Sequence, residues 1–211
     1  MSPRSSDELR LFAGLYPGLE FTRPAQAWTE ELAQTGELAQ TGELAQTGRI
    51  GGAPEVLGLV PEPHDRLHAT LLFLGKVRRS NLERILESAE SAGAGVGPFE
   101  VEFDTLTVQP STGNPRLLAL EASEPPGALL DLQGRLAARL GPPGAKRRAF
   151  WPHVTLGRFR PPASVDREGL ARVRGPGLPA VRFEKLVVVE SRLEPTGSRH
   201  LYLSSFALRG R

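Results

Sequence analysis

The chain has 211 residues, 39% hydrophobic and 24% charged, enough to bury one core or two small, closely packed lobes and unlike the make-up of a disordered protein. Its 26 Lys and Arg against 24 Asp and Glu leave a net charge of +2 and a pI near 9.4, so any polyanion must be recognised by local clusters of charge. The absence of cysteine excludes disulfides, thiol catalysis and cysteine-bound metal centres. No stretch approaches the roughly 18 apolar residues of a membrane span, and the first residues carry no apolar targeting core, so a cytoplasmic protein without membrane contact is expected.

Leu9–Leu15 reads as a buried first strand closed by the turn former Pro17-Gly18. A helix is expected from about Pro24, which is tolerated in a first turn, running into three identical copies of Glu-Leu-Ala-Gln-Thr-Gly at 31–48. Leucines six apart rotate about 240° per step on a helix and mark no continuous face. The repeats therefore read as a helix extension or surface loop outside the site. A strand over Leu67–Leu74 ends at Gly75, and Ser80 with Glu83 at capping-box spacing opens a helix whose Leu82, Ile85, Leu86 and Ala89 share a face. Phe99–Val108 alternates as one strand and turns through Pro110–Pro115 into Leu117–Ala122.

The second half repeats that order. A helix at Ala128–Leu140 stops at Gly141, and the basic loop Lys146-Arg147-Arg148 leads to a strand over Trp151–Phe159. A weaker helix near Val165–Val173 and strands at Phe183–Glu190 and Leu201–Leu208 follow. The reading is an α+β fold of two similar, pseudo-twofold-related lobes, each a mainly antiparallel sheet with helices on its outer side, enclosing a central cleft. One bilobal domain over 1–211, with 31–48 as an insertion, is expected.

Two tetrapeptides carry the chemistry: His68-Ala69-Thr70-Leu71 and His153-Val154-Thr155-Leu156. In a strand, residues i and i+2 share a face, so His68 points with Thr70 and His153 with Thr155, while Ala69, Leu71, Val154 and Leu156 face the core. The chain has only four histidines, and two of them sit in this pattern, one in each half. Facing pairs suit displacement at phosphorus: one neutral imidazole accepts the proton of an attacking hydroxyl or water, and an imidazolium opposite protonates the departing oxygen. The threonine hydroxyls donate to non-bridging oxygens, where other enzymes use a metal or lysine. No metal or other cofactor is expected.

The residues resemble the two-histidine phosphoesterases, and within them the LigT-like (ThpR) RNA 2′,3′-cyclic phosphodiesterases. The resemblance rests on Leu9–Leu15, the block Leu67–Gly75, the block Pro152–Arg158 and the ending Val189–Leu193. It implies hydrolysis of 2′,3′-cyclic phosphate RNA ends, or of small cyclic-phosphate nucleotides, to 2′-phosphomonoesters without a cofactor, with His68 as proton donor and His153 as proton acceptor. The chain departs from the family pattern at Arg66, where Asn is common, and at Leu72 and Trp151, where basic residues are frequent.

Further candidates surround the motifs. Arg158 fits a phosphate clamp, but strict alternation puts it on the face opposite His153, so only a bulge or the strand's end brings it into the cleft. Arg148, Phe150 and Trp151, with Lys146 and Arg147, combine charge and stacking surface for RNA, or form a solvated loop beside two core aromatics. His64 and His200 lie at no metal-ligand spacing and read as surface histidines. Gly75-Lys76 lacks the glycine pattern of a P-loop. A monomer is expected. Ligation of RNA ends through a 2′–5′ bond in the same site, or RNA binding without catalysis, are the competing functions.

Overall fold

The structure is a computed structural model that describes residues 7–41, 56–141, 149–172, 175–194 and 197–210. Chain order is β1 (Glu8–Leu15), α1 (Leu19–Thr41), β2 (Val56–Pro61), β3 (Ala69–Arg78), α2 (Leu82–Gly93), β4 (Phe99–Val101), β5 (Thr105–Gln109), β6 (Leu117–Glu121), α3 (Gly127–Leu140), β7 (His153–Val165), α4 (Arg167–Arg172), β8 (Val181–Phe183), β9 (Lys185–Glu194) and β10 (Gly197–Ala207). Short 3₁₀ turns at His64–Arg66 and Arg79–Asn81 precede β3 and α2.

Eight strands form one sheet in the order β10, β9, β1, β3, β7, β6, β5, with β2 also paired to β7. All the pairings are antiparallel. β3 and β7 meet at one residue pair, Ala69 with Val154, so this seam divides the sheet into two four-stranded lobes. The units β1–α1–β3 and β6–α3–β7 repeat the same succession across it. The helices exchange sides: α1 packs on β2 and β7, while α3 packs on β3 and α2. Beneath the seam lies one main core, drawing Ala13, Leu15, Leu71 and Leu186 from one lobe and Leu118, Leu120, Val154 and Leu156 from the other. The opposite face of β1 carries Phe12, packed with Val187 and Val189 of β9 and with Tyr16.

Several boundaries move from the sequence reading. α1 begins one turn before Pro24, with the Gly18 carbonyl accepting from the amides of Phe21 and Thr22. It continues through the first repeat to Thr41, so that part is a helix extension; residues 42–48 of the repeats lie outside the described residues. Ser80 sits inside the 3₁₀ turn and makes no cap, because Asn81 occupies the N-cap position without a side-chain bond. β3 runs past Gly75, whose φ of +70° suits glycine. The expected strand over 99–108 divides in two: β4 pairs with β8 in a separate ribbon, and β5 pairs with β6. No helix among the described residues is long and apolar enough to cross a membrane.

Candidate functional site

The seam organises the site. Antiparallel pairing of Ala69 with Val154 sets His68 across from Thr155 and Thr70 across from His153 on a common face. Burial follows this parity: Ala69, Leu71, Val154 and Leu156 are buried, and the two histidines and two threonines are half-exposed on the other side. The four predicted groups are therefore brought together, with the histidines on one diagonal and the threonines on the other.

Each imidazole is held in the same way. His68 Nδ1 lies 2.6 Å from the Arg66 carbonyl and His153 Nδ1 lies 2.8 Å from the Trp151 carbonyl, both two residues upstream. A carbonyl only accepts, so Nδ1 carries the proton in both rings and a neutral ring keeps an unprotonated Nε2. Either histidine can then accept a proton at Nε2, or donate one from it when charged. Arg66 and Trp151, which depart from the family pattern, act here through their main chains. The Arg66 guanidinium bonds the Ser198 carbonyl at 3.0 Å, and the Trp151 ring stacks on His153 with 3.6 Å between centroids and 17° between planes.

The surroundings of the two rings differ. Desolvation pushes His68 down to about 4, opposed by the Arg66 carbonyl and Glu62 and reinforced by His200 and His153. Desolvation lowers His153 as well, against the Trp151 carbonyl and the Glu121 carboxylate, which faces His153 across the β6–β7 ladder. Both rings therefore hold a proton less readily than a free imidazole.

A bulge settles the parity of Arg158. In the β6–β7 ladder Leu118 pairs with Gly157 and Ala119 with Thr155, so Leu156 is passed over. Leu156 and Gly157 are both buried and Arg158 is exposed, which returns Arg158 to the face of His153 and Thr155. A Cβ on Gly157 would meet the tip of the Leu59 side chain at 2.8 Å and the Val60 carbonyl oxygen at 3.0 Å, so the bulge favours glycine. Arg158 Nε donates to Glu62 at 2.8 Å. The first lobe has a matching irregularity: Ala13 pairs with Leu72 and Gly14 with Thr70. Leu72 packs against the main core, and Phe73 emerges 69% exposed beside Phe12. Phe73 thus stands in the first lobe where Arg158 stands in the second.

Phe150 packs on the main core, and Lys146, Arg147 and Arg148 lie outside the described residues. His200 is not a plain surface histidine, since its ring lies 4.9 Å from that of His68. Sequence reading also missed Tyr16, stacked on His68 at 5.3 Å, and Phe12. The alternation of β1 places Phe12 on the face opposite Leu11 and Ala13 and would have pointed to it, whereas nothing in the sequence sets β10 beside β3. A cavity of about 610 Å³ adjoins His200, lined among others by Asp65, Arg66, Arg199 and Tyr202. Among the described residues, no group of three or more His, Asp and Glu side chains is arranged to hold a metal ion.

Comparison with known proteins follows this geometry. The sequence profile of the 2′-5′ RNA ligase superfamily matches residues 45–193. An RNA 2′,3′-cyclic phosphodiesterase of Thermus thermophilus is 31% identical over 169 residues, 72% of this chain and 77% of that protein. One of Archaeoglobus fulgidus is 32% identical over 112 residues, 53% of this chain and 60% of that protein. The crystal structure of E. coli LigT in apo form shares the fold with a TM-score of 0.73 at 21% identity, over 97% of this chain and 99% of that one. LigT complexed with 3′-AMP gives 0.71 at 22% identity, over 96% and 99%.

Proposed function

Because this chain belongs to the 2′-5′ RNA ligase superfamily, we propose that it is an RNA 2′,3′-cyclic phosphodiesterase working through paired general acid–base catalysis by His68 and His153. The relatives of similar length bear that activity in their names, and the observation that carries the reading is the Ala69–Val154 seam, which gathers two imidazoles and two hydroxyls on one face.

In this reaction water attacks phosphorus as the bond to O3′ breaks, leaving a 2′-phosphomonoester. His153 Nε2 accepts the water proton, and His68 Nε2 delivers one to O3′. Thr70 and Thr155 donate to the non-bridging oxygens, where charge builds. In-line displacement requires acid and base on opposite sides of the phosphorus, and the diagonal arrangement of the two histidines supports this reading. In the free site the larger depression at His68 leaves a single proton on His153, so the working form, with the proton on His68, is the minority one and pairs a strong acid with a strong base. A bound phosphate anion favours the imidazolium form. No metal takes part, and one chain, a single bilobal domain acting as a monomer, supplies every group.

The pH dependence follows from these shifts. The active form carries one proton on the histidine pair, and both rings in the free protein lie below the ordinary imidazole value. The kcat/KM profile, which reports the free site, should therefore peak on the acid side of about 6.5. The bound anion raises both rings, so the kcat profile should lie at higher pH. Coincident profiles, or kcat optimal at the lower pH, would contradict this electrostatic picture.

Phe73 and Arg158 are read as substrate contacts, one for a base plane and one for phosphate. Phe73→Ala and Arg158→Ala should each raise KM roughly 5- to 30-fold with kcat changed much less, the signature of lost ground-state binding. A fall in kcat at constant KM would assign them otherwise. Trp151 supports His153 through its ring and carbonyl, Phe150 packs on the main core, and Arg148 is read as a contact for the RNA chain.

Ligation through a 2′–5′ bond uses the same groups with an RNA 5′-hydroxyl in place of water. Incubating the protein with cyclic-phosphate RNA and a 5′-hydroxyl RNA together separates the two. Hydrolysis predicts a 2′-phosphomonoester as the main product, and a joined strand as the main product would favour ligation.

A further inference from the structure

His68 is enclosed by a third histidine and two other rings. His200 of β10 stands at 85° to it with 4.9 Å between centroids, and His200 Nδ1 lies 3.0 Å from the Tyr16 hydroxyl. Tyr16 lies nearly parallel to His68, 21° and 5.3 Å away. Phe12 completes the enclosure at 4.9 Å from His68 and 5.1 Å from His200. Tyr202, two residues beyond His200, packs against Tyr16 at 4.7 Å. β1 and β10 therefore both reach the residue just before β3, although β10 lies three places away from β3 in the sheet.

We propose that Tyr16 and His200 are positioning residues for His68: their hydrogen-bonded pair fixes the plane in which His68 presents Nε2, and the charge on His200 governs how readily His68 takes up a proton. This rests on the reading of His68 as an acid–base group. With His200 neutral and its proton on Nε2, the Tyr16 hydroxyl donates to Nδ1. With His200 charged, Nδ1–H donates to the Tyr16 oxygen. The pair stays bonded in both states, so the rings keep their places and only the charge beside His68 changes. An imidazolium at that distance opposes a second one.

Around His200 are Tyr16 and Phe12, Asp65, which favours its charged form, and Arg66 and Arg158, which oppose it. Around His68 are Glu62, which favours its charged form, and His200 and His153, which oppose it. His200 is the titratable group packed directly on the His68 ring that can change charge in the working range, since the Tyr16 phenol is pushed far above it by burial.

Histidine-selective NMR titration of the free protein tests this without turnover. With four histidines in the chain, single substitutions assign the signals. In His200→Gln, which keeps a polar partner for Tyr16 and removes the charge, His68 should titrate higher by on the order of half a pH unit to one unit. The matching limb of the pH–rate profile should move the same way. Tyr16→Phe, which keeps the stacked ring and loses the bond, should lower kcat roughly 3- to 10-fold with KM unchanged, and His200→Gln should retain more kcat than His200→Ala. An unmoved His68 titration in His200→Gln, or wild-type kcat in Tyr16→Phe, overturns the proposal. If the titration moves in a protein that leaves cyclic phosphates intact, the positioning relation stands and the enzymatic reading falls.

Discussion

Replacing His68 or His153 with alanine is expected to lower hydrolysis of a cyclic phosphate end by roughly 10²- to 10⁴-fold each. Each loss removes one of the two proton transfers, and the remaining partner has little to do alone. The double variant should therefore be only slightly slower than the worse single variant, not slower by the product of the two. Thr70→Val and Thr155→Val remove one donor to the developing charge while the seam and both imidazoles stay in place, so each should cost less than a histidine does. The measurement is single-turnover hydrolysis at saturating substrate. Fully multiplicative histidine effects would mean that the two act in separate steps or separate sites. Denaturant unfolding of the same variants should show stability altered by about 1–3 kcal/mol, far less than the loss of activity, because each ring makes one carbonyl bond and packs on its aromatic neighbours.

Leu156→Ala has the opposite profile. Leu156 is 1% exposed in the main core, and its carbonyl accepts the Glu62 amide at 2.7 Å. Truncating such a residue removes apolar burial and leaves a cavity, a cost of about 2–5 kcal/mol. The same residue is the one passed over at the bulge, next to Gly157, and the bulge is what returns Arg158 to the histidine face. A loosened bulge should therefore raise KM even where the protein remains folded, while the seam at Ala69–Val154 preserves most of kcat. Urea unfolding and steady-state kinetics on one preparation check both parts. A cost below about 1 kcal/mol, or an unchanged KM, would show that the bulge does not depend on this packing.

The contrast between these variants reflects what the sequence makes legible. Strand parity alone sorts His68, Thr70, His153 and Thr155 onto one side and their neighbours into the core, because a period of two needs no tertiary knowledge. The internal likeness of the two halves is visible in the order of strand, helix and motif strand. Bulges are different: they depend on what the partner strand offers, so the return of Arg158 and Phe73 to the site face shows in the ladders β6–β7 and β1–β3 and not in either segment alone. The Phe99–Val108 segment alternates like one strand, yet its two ends serve different sheets, a choice made by distant partners. His200 was hidden for the same reason. Its neighbour His68 is 132 residues away, and only the pairing of β9 with both β1 and β10 brings them together.

The most direct measurement is the product formed from an RNA ending in a 2′,3′-cyclic phosphate, with chelator present, by the wild-type protein and by His153→Ala. The account predicts a 2′-phosphomonoester from the wild type and an essentially unchanged cyclic end from the variant. Equal conversion by both proteins, or an intact cyclic phosphate with the wild type, would contradict it.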